Sequence, residues 1–424
     1  MKHISQSIDV LREKYDNQGE KEEKMINRPF YLQKLAKFRD KRLVKVLTGI
    51  RRCGKSTLLQ LFRERLIQDG SHESQFIAFN FEDAALREMM QWEKLHDAIV
   101  SRLNPDRMNY IFLDEIQLVP QFERAVDSLY IRENTDIYIT GSNAYMLSGE
   151  LITLLSGRYV EIHVQPLSFS EYVSAQPSPD NLARCYRDYL LFGAFPYIQE
   201  LGKDAELVRD YLGGIYNTVL LKDVALRRKS TEAALLERIT RFMFDNIGGL
   251  VSIKKISDTL TSDGCKVSSH TVEGYLSALT DCYLLYQANR FDIAGRQYLK
   301  TGSKFYMADL GLRMFLLGHR TGDAGRLLEN VVYLELIRRG YHVFVGKAGA
   351  QEVDFVAQRG DETAYYQVAA TVRDEATLTR ELRSLNMIPD HHPKYLLTLD
   401  DDPSSSHDGI RHMNALDFLC SHYP

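Results

Sequence analysis

Residues 49–56 carry glycine, lysine and hydroxyl groups at the spacing of a phosphate-binding loop. The segment GIRRCGKS fits G-x-x-x-x-G-K-[ST], with Gly49, Gly54, Lys55 and Ser56 at the defined positions. In such a loop backbone N–H groups surround phosphate oxygens, the lysine reaches the β- and γ-phosphates, and the hydroxyl binds Mg²⁺. This chemistry requires a strand before the loop and a helix after it. The apolar run LVKVL before the segment and the helical pattern after it predict that setting, and therefore an ATP and Mg²⁺ site.

The remaining positions of the loop complete the predicted nucleotide site. Two arginines inside the loop place additional positive charge beside the phosphates. The predicted nucleotide-binding residues are Gly49, Arg51, Arg52, Cys53, Gly54, Lys55, Ser56 and Thr57.

Two acids follow an apolar run at a suitable distance along the chain. In YIFLDEIQ, Asp114 and Glu115 come directly after four apolar residues, as at the end of a buried strand. An aspartate at this place binds Mg²⁺ or its water, so that Ser56 and Asp114 are the predicted metal ligands. The next carboxylate, Glu115, can accept a proton from the attacking water. The alternative is a solvated strand end.

Two further polar residues are candidates for catalysis. Asn143 follows the strand pattern DIYITGS, where its amide could bind the attacking water or the γ-phosphate; the alternative is an ordinary Asx turn. Arg158 immediately precedes the strand pattern YVEIHV and could act on a neighbouring subunit's γ-phosphate as an arginine finger. That role requires a homo-oligomer, and the alternative is a surface salt bridge.

The elements that carry these residues alternate along the chain. Strand and helix patterns follow one another from residue 43 to residue 165, and the strand patterns are continuous apolar runs. This order predicts an α/β fold with a parallel sheet covered by helices on both faces. A Pro- and Ser-rich stretch at 165–181 then marks a boundary, and residues 182–246 read as helical with a break at FGAFP. Residues 247–300 have the order helix, turn, helix, β-hairpin, which is typical of a winged helix.

The order of these motifs resembles that of AAA+ P-loop ATPases. The segments TGIRRCGKSTLL, FLDEIQ, TGSN, GRYVEIHVQPLSFSEY and FGAFP resemble, more narrowly, a family of prokaryotic predicted AAA+-type ATPases. The family's C-terminal domain of unknown function looks like a restriction-endonuclease fold. The resemblance covers nearly the whole chain from about residue 25. It implies ATP binding and hydrolysis by Lys55, Ser56, Asp114 and Glu115, and leaves the cellular task open.

Composition shifts and the resemblance together predict five parts. They are a charged N-terminal arm (1–24), an AAA+ ATPase core (25–170), a helical lid (171–235), a winged-helix-like domain (236–320) and a degenerate nuclease-like α/β domain (321–424).

The last part lacks half of the metal site expected of PD-(D/E)xK nucleases. Glu329 and Asp354 match the helix glutamate and the strand aspartate of that pattern. Gln367 stands where an acid is expected and Ala369 where lysine is expected. An amide is a weak uncharged ligand and alanine cannot orient water, so we expect the domain to serve binding or structure rather than nuclease chemistry.

The charge pattern gives little support for nucleic acid as a partner. The formal net charge is −4, and residues 247–300 contain six Lys or Arg against five acids. Affinity for nucleic acid depends on phosphate neutralisation, so this balance leaves DNA binding and protein binding by the winged helix both open. The five scattered cysteines fit a reducing compartment. No apolar run is long enough for a membrane helix or signal peptide, and we expect a cytoplasmic protein that does not enter membranes.

The sequence therefore favours an ATPase that uses hydrolysis to drive or switch a conformational change, with DNA as a candidate partner. A nucleotide-gated binder of DNA or protein with little turnover is the main alternative. An ATP-licensed nuclease is the weaker one, because of Gln367 and Ala369.

Overall fold

The computed structural model describes residues 25–147, 155–177, 179, 181–224, 233–320 and 322–421. The predicted charged arm of residues 1–24 lies outside these ranges. Most of KDVALRRKS (222–230), a short segment rich in Lys and Arg, also lies outside them.

The N-terminal part contains a five-stranded parallel sheet in the order β2-β3-β4-β1-β5. Its strands are β1 (Val44–Thr48), β2 (Phe76–Asn80), β3 (Asn109–Asp114), β4 (Thr135–Gly141) and β5 (Tyr159–His163). The helices of this part are α1 (Pro29–Lys37), α2 (Lys55–Gln68), α3 (Trp92–Val100), α4 (Phe122–Tyr130) and α5 (Phe169–Ser174). The predicted α/β architecture with a parallel sheet is confirmed.

Both faces of this sheet are buried, which explains the continuous apolar runs. Along β3, Tyr110 and Phe112 belong to one hydrophobic cluster, while Ile111 and Leu113 belong to the other. Successive side chains of a strand point to opposite faces, so a strand between two helical layers needs apolar residues at every position. The carboxyl ends of β1, β3 and β4 consequently meet at one edge, where the polar residues follow.

A helical region comes next and packs against the segment FGAFP. Its helices are α6 (Leu182–Phe192), α7 (Ala205–Thr218), a π-helical turn (Val219–Val224) and α8 (Ala233–Asp245). Gly193 adopts φ +91°, and a Cβ there would lie 2.5 Å from a carboxylate oxygen of Asp309. That carboxylate accepts hydrogen bonds from the backbone N–H groups of Ala194 and Leu312. The chain around FGAFP is thus tied to a segment more than 100 residues away.

The second sheet has nine strands in the order β13-β14-β12-β11-β10-β9-β7-β8-β6. Its strands are β6 (Leu250–Val251), β7 (Leu285–Asp292), β8 (Gln297–Met307), β9 (His342–Ala348), β10 (Gln351–Arg359), β11 (Glu362–Ala369), β12 (Lys394–Thr398), β13 (Ser405–His407) and β14 (Ile410–Asn414). The helices around it are α9 (Ile253–Ser262), α10 (Ser269–Asp281), α11 (Leu310–Leu317), α12 (Ala324–Arg338), α13 (Glu375–Asn386) and α14 (Ala415–Cys420).

This sheet continues across the boundary expected at residues 320 and 321. The β7–β8 hairpin follows α9 and α10 in the order expected of a winged helix, yet β7 also pairs in parallel with β9. The hairpin and the C-terminal strands therefore share one sheet. The composition of the segment DDDPSSSHDG (400–409) is typical of a surface loop, yet it contains the short edge strand β13, which pairs with β14.

Across the described residues, no helix combines the length and apolar character needed to cross a bilayer.

Candidate nucleotide site

The loop between β1 and α2 depends on glycine at two positions. Gly49 has φ +145°, and a Cβ there would lie 2.0 Å from the carbonyl oxygen of Val164. Gly54 has φ +94° and is the N-cap residue of α2. A side chain at Gly49 would collide with the backbone, and the positive φ angles of Gly49 and Gly54 are unfavourable for residues with a Cβ. Both positions therefore require glycine. The loop presents the amino end of α2, which favours anions.

Lys55 and Glu115 lie close together at the carboxyl edge of the sheet. Lys55 Nζ donates to the carbonyl oxygens of Gly49 at 3.0 Å and Ile50 at 3.3 Å, and lies 3.7 Å from Glu115 Oε1. Gln117 Nε2 donates to Glu115 Oε2 at 2.6 Å. Both charged side chains are buried, so the loop and the end of β3 form one polar cluster.

Thr140, at the penultimate position of β4, organises both acids. Its hydroxyl donates to Asp114 Oδ1 at 2.5 Å and accepts the backbone N–H of Glu115 at 2.9 Å. Burial raises the pKa of Asp114, and hydrogen bonds from the Thr140 and Ser56 hydroxyls partly offset that rise. Ser56 and Asp114 are thus brought together. Glu115 adopts φ +53°, a left-handed conformation unusual for a residue with a Cβ.

Several buried oxygens at this edge have no hydrogen-bond partner in the described chain. They are Gln117 Oε1, Ser142 Oγ and Asn143 Oδ1. Buried polar atoms are normally paired, so such a group close to a phosphate-binding loop indicates room for a polar ligand or its water. The Asx-turn alternative for Asn143 would use this same oxygen as the acceptor, and the oxygen accepts nothing.

The two loop arginines differ in their surroundings. Arg51 forms ion pairs with Asp223 of the π-helical turn and with Glu82, both at 3.0 Å, and lies 4.0 Å from Glu115 Oε2. Its charge is therefore shared among carboxylates rather than left beside the phosphates. Arg52 is exposed and adopts φ +66°.

Arg28 supports the loop from behind and was not found from the sequence. Its Nη1 donates to the carbonyl oxygen of Cys53 at 2.9 Å, and its Nη2 donates to that of Gln165 at 2.8 Å. It also forms a buried ion pair with Glu171 at 3.0 Å. These partners lie up to 143 residues away, so no local pattern could have identified Arg28. Cys53 itself is fully buried, and burial raises the pKa of its thiol.

Thr48, directly before the loop, is linked to the second sheet. Its hydroxyl donates to Glu161 Oε1 at 2.5 Å and lies 3.3 Å from His163 Nδ1. His163 Nε2 lies 2.8 Å from the hydroxyl of Tyr286 in β7. Burial lowers the pKa of His163 to about 3, so this ring is neutral and links the two sheets by hydrogen bonds.

Arg158 lies far from the loop of its own chain. It precedes β5, and its carbonyl oxygen accepts the N–H of Val44, the first residue of β1. At about 3.3 Å per residue, the five residues of β1 separate it from the loop by roughly 16 Å. Its guanidinium pairs with Asp127 at 3.1 Å and covers the Tyr130 ring.

The C-terminal acids surround a lysine that the sequence did not indicate. Lys304 Nζ, from β8, lies 2.8 Å from Glu329, 2.8 Å from Glu352 and 3.5 Å from Asp354. Gln367, at the expected acid position, donates to Glu381 at 2.8 Å and accepts the N–H of Asp354 at 3.3 Å. Within the described ranges, no group of three or more His, Cys, Asp or Glu side chains has the geometry to hold a metal ion.

Three family profiles match successive parts of the chain. Residues 41–173 match an AAA domain, residues 183–323 a domain of unknown function (DUF8612), and residues 324–418 another domain of unknown function (DUF4143). The chain is 39% identical over 400 residues to an uncharacterized protein of Haemophilus influenzae, which covers 93% of this chain and 98% of the relative. The chain belongs to the same family as that protein.

Two further proteins are similar to the chain at lower identity. An uncharacterized protein, MJ1544, of Methanocaldococcus jannaschii is 29% identical over 359 residues, with 80% of this chain and 77% of the relative covered. The Walker-type ATPase PABY2304 of Pyrococcus abyssi is 18% identical, with a TM-score of 0.48 over 70% of this chain and 97% of that one. The AAA match establishes that residues 41–173 form a P-loop domain of the AAA type.

Proposed function

We propose that the protein binds Mg²⁺-ATP at the carboxyl edge of the five-stranded sheet and hydrolyses it. The unpartnered buried oxygens of Ser142 and Asn143, lying at the same sheet edge as Lys55 and the two acids, carry this proposal. The donor set also fits, because Mg²⁺ prefers hydroxyl and carboxylate oxygens, which Ser56 and Asp114 supply.

Each residue has a defined task in this proposal. Lys55 and the loop N–H groups bind the β- and γ-phosphates, and Ser56 and Asp114 would hold Mg²⁺, which would neutralise charge on the phosphate oxygens. Glu115 accepts a proton from water as the water oxygen bonds to the γ-phosphorus and the bond to the ADP oxygen breaks. Asn143 orients that water. Movement of Lys55 toward phosphate frees Glu115 Oε1, now 3.7 Å from Nζ, for this task.

The decisive experiment is ATP turnover by the purified protein, with Glu115→Gln as the matched variant. Loss of a general base lowers the rate by about 10²–10⁴-fold, while ATP binding persists. Turnover that survives the substitution would contradict the role of Glu115. Wild-type protein that binds ATP without turning it over would instead support the nucleotide-gated binder, an alternative favoured by the contacts that already engage Glu115.

We propose that Arg158 acts on the ATP of a neighbouring subunit in a homo-oligomer. Its position at the amino ends of the strands and its 48% exposed side chain support action between chains rather than within one. Arg158→Ala should lower turnover by about 10³-fold, the lower range for an arginine finger.

A mixing experiment tests this role. Arg158→Ala protein keeps an intact Lys55, and Lys55→Ala protein keeps an intact Arg158. Mixing the two inactive variants should restore turnover if the arginine acts between subunits. No restoration, or full activity of Arg158→Ala alone, would remove Arg158 from the mechanism and leave the Asp127 ion pair as its role.

We further propose that the change between ATP-bound and ADP-bound states in the ATPase core (25–170) alters the conformation of the lid (171–235). The lid and core then act on a winged-helix-like region (236–320) and a nuclease-like region (321–424), which bind a partner. The Arg51–Asp223 pair and the Thr48–His163–Tyr286 contacts supply physical links. Adding double-stranded DNA to the turnover assay tests the identity of the partner. Stimulation of turnover supports DNA as the partner, and absence of stimulation favours a protein.

We place this activity in the cytoplasm, consistent with the free cysteines.

A further inference from the structure

One side of the phosphate-binding loop contacts carboxylates, and another side contacts the apolar segment FGAFP. A Cβ built on Gly54 would lie 3.4 Å from Cγ of Pro196 and 3.8 Å from Nη1 of Arg28. Gly54 directly precedes Lys55 and is the N-cap residue of α2, so Pro196 packs beside the first turn of the helix that follows the loop. The segment FGAFP thus forms a wall of the loop.

Pro196 also begins a short 3₁₀ helix, Pro196–Gln199, whose second residue is Tyr197. The centroid of the Tyr197 ring lies 5.3 Å from that of Tyr211 in α7, and the two ring planes form an angle of 46°. Tyr197 is 48% exposed, and Leu207, one turn before Tyr211, is 51% exposed. The positive charge of Arg52 in the loop acts on the Tyr211 hydroxyl, lowering its pKa against the larger effect of burial. An aromatic and apolar patch therefore lies beside the loop.

The position of this patch is fixed by the surrounding chain. Leu167 donates its N–H to the Ala194 carbonyl at 2.8 Å, and Asp309 accepts the Ala194 N–H. Gly311 packs against the same turn, since a Cβ there would lie 2.5 Å from the Phe192 carbonyl oxygen. Tyr197 thus lies three residues after Ala194, whose backbone N–H and carbonyl are both hydrogen-bonded to other parts of the chain. Exposed aromatic surface in a fixed place is a feature of ligand-binding sites.

We propose that Tyr197 and Tyr211 form a stacking platform for the base of the nucleotide whose phosphates the loop binds. This inference rests on the proposed function. Aromatic rings stack on any base because every base has a π-face, so the platform adds affinity without choosing between adenine and guanine. Arg52 of the loop, whose positive charge also acts on Tyr211, offers its charge to the phosphates nearest the base.

The test separates the base from the phosphates. Binding of Mg²⁺-ATP, Mg²⁺-GTP and inorganic tripolyphosphate is measured by calorimetry for wild type, Tyr197→Ala, Tyr197→Phe and Lys55→Ala. Tyr197→Ala should weaken ATP and GTP by about 5–100-fold, as loss of one stacked base predicts, and leave tripolyphosphate unchanged. Tyr197→Phe should keep nearly full affinity. The matched control is Tyr298→Ala, an exposed tyrosine of β8 that should change nothing.

Two outcomes would overturn the platform. One is unchanged ATP binding by Tyr197→Ala, and the other is an equal loss for ATP and tripolyphosphate, which would mean that the substitution disturbs the loop. Failure of the proposed function looks different: wild type would bind neither ligand, or Lys55→Ala would bind both as well as wild type.

Discussion

Two buried lysines, Lys55 and Lys304, each face carboxylates, yet their surroundings differ. Lys55 is 4% exposed and lies 3.7 Å from a single glutamate, and its hydrogen bonds go to two loop carbonyls. Lys304 is 3% exposed and lies within 3.5 Å of three carboxylates. At the sheet edge that carries Lys55, three buried oxygens have no hydrogen-bond partner among the described residues, whereas the Glu329 beside Lys304 also accepts the Tyr306 hydroxyl at 2.6 Å.

This difference separates a site arranged for a ligand from a cluster that stabilises the fold. A loosely paired lysine can exchange its contacts for phosphate at little cost. A lysine paired with the buried Glu329 and Asp354 cannot leave at little cost, because charge on these two acids would then be unpaired in a poorly solvated place. Lys304 lies within 3.5 Å of Glu329 and Asp354, the two acids that the sequence analysis compared with a nuclease pattern, so an internal cation pairs with both of them.

The largest expected effect in this comparison is the loss of Lys304. Lys304→Met leaves Glu329 and Asp354 buried without their cation, which should destabilise the fold by about 3–5 kcal/mol. Thermal unfolding measures the effect. Lys347→Met is the matched control, since that lysine is 40% exposed and lies 3.8 Å from Asp292, an arrangement worth less than about 1 kcal/mol. Equal unfolding temperatures for the two variants would mean that Lys304 does not stabilise the fold.

The sequence anticipated Lys55 and its neighbours but not Lys304, for a physical reason. The phosphate loop and the acids after β3 are encoded in contiguous segments, and a parallel sheet must bring its strand ends to one edge. The continuous apolar strands made that sheet predictable. Lys304 reaches the acids because β7 pairs with β9 across the expected domain boundary. Such a pairing between distant strands leaves no local pattern, and the same holds for Arg28 with Glu171 and Arg51 with Asp223.

Asp309 is a buried carboxyl that is hydrogen-bonded by backbone N–H groups rather than paired with a lysine, so it can be compared with the acids around Lys55 and Lys304. Burial raises the pKa of Asp309 to about 6, against the opposing hydrogen bonds from Ala194, Leu312 and Gly311. In the unfolded chain the pKa of an aspartate is about 3.9. Below pH 4 Asp309 is therefore protonated in both the folded and the unfolded state, and its full contribution to the free energy of unfolding is present. Between about pH 4 and 6 only the folded state keeps the proton, and stability falls by roughly 3 kcal/mol as pH rises.

Asp309→Asn should remove this dependence. Wild type should therefore lose stability relative to the variant as pH rises from about 4 to 6, and the difference between their unfolding temperatures should stay constant above that range. A difference that is constant over the whole range would show that Asp309 titrates normally in the folded protein.

Lys55→Met should have the smallest effect on stability, although it removes nucleotide binding. Methionine fills similar space, and Glu115 keeps its contacts with Gln117 and Arg51. We expect a change below about 1 kcal/mol without ATP, within the range of most substitutions that bury no new charge. With ATP at 100 times its dissociation constant, wild type should gain about 2.7 kcal/mol and the variant nothing. A destabilisation as large as that of Lys304→Met would erase the distinction between the two lysines, because Lys55 would then be a structural residue as well.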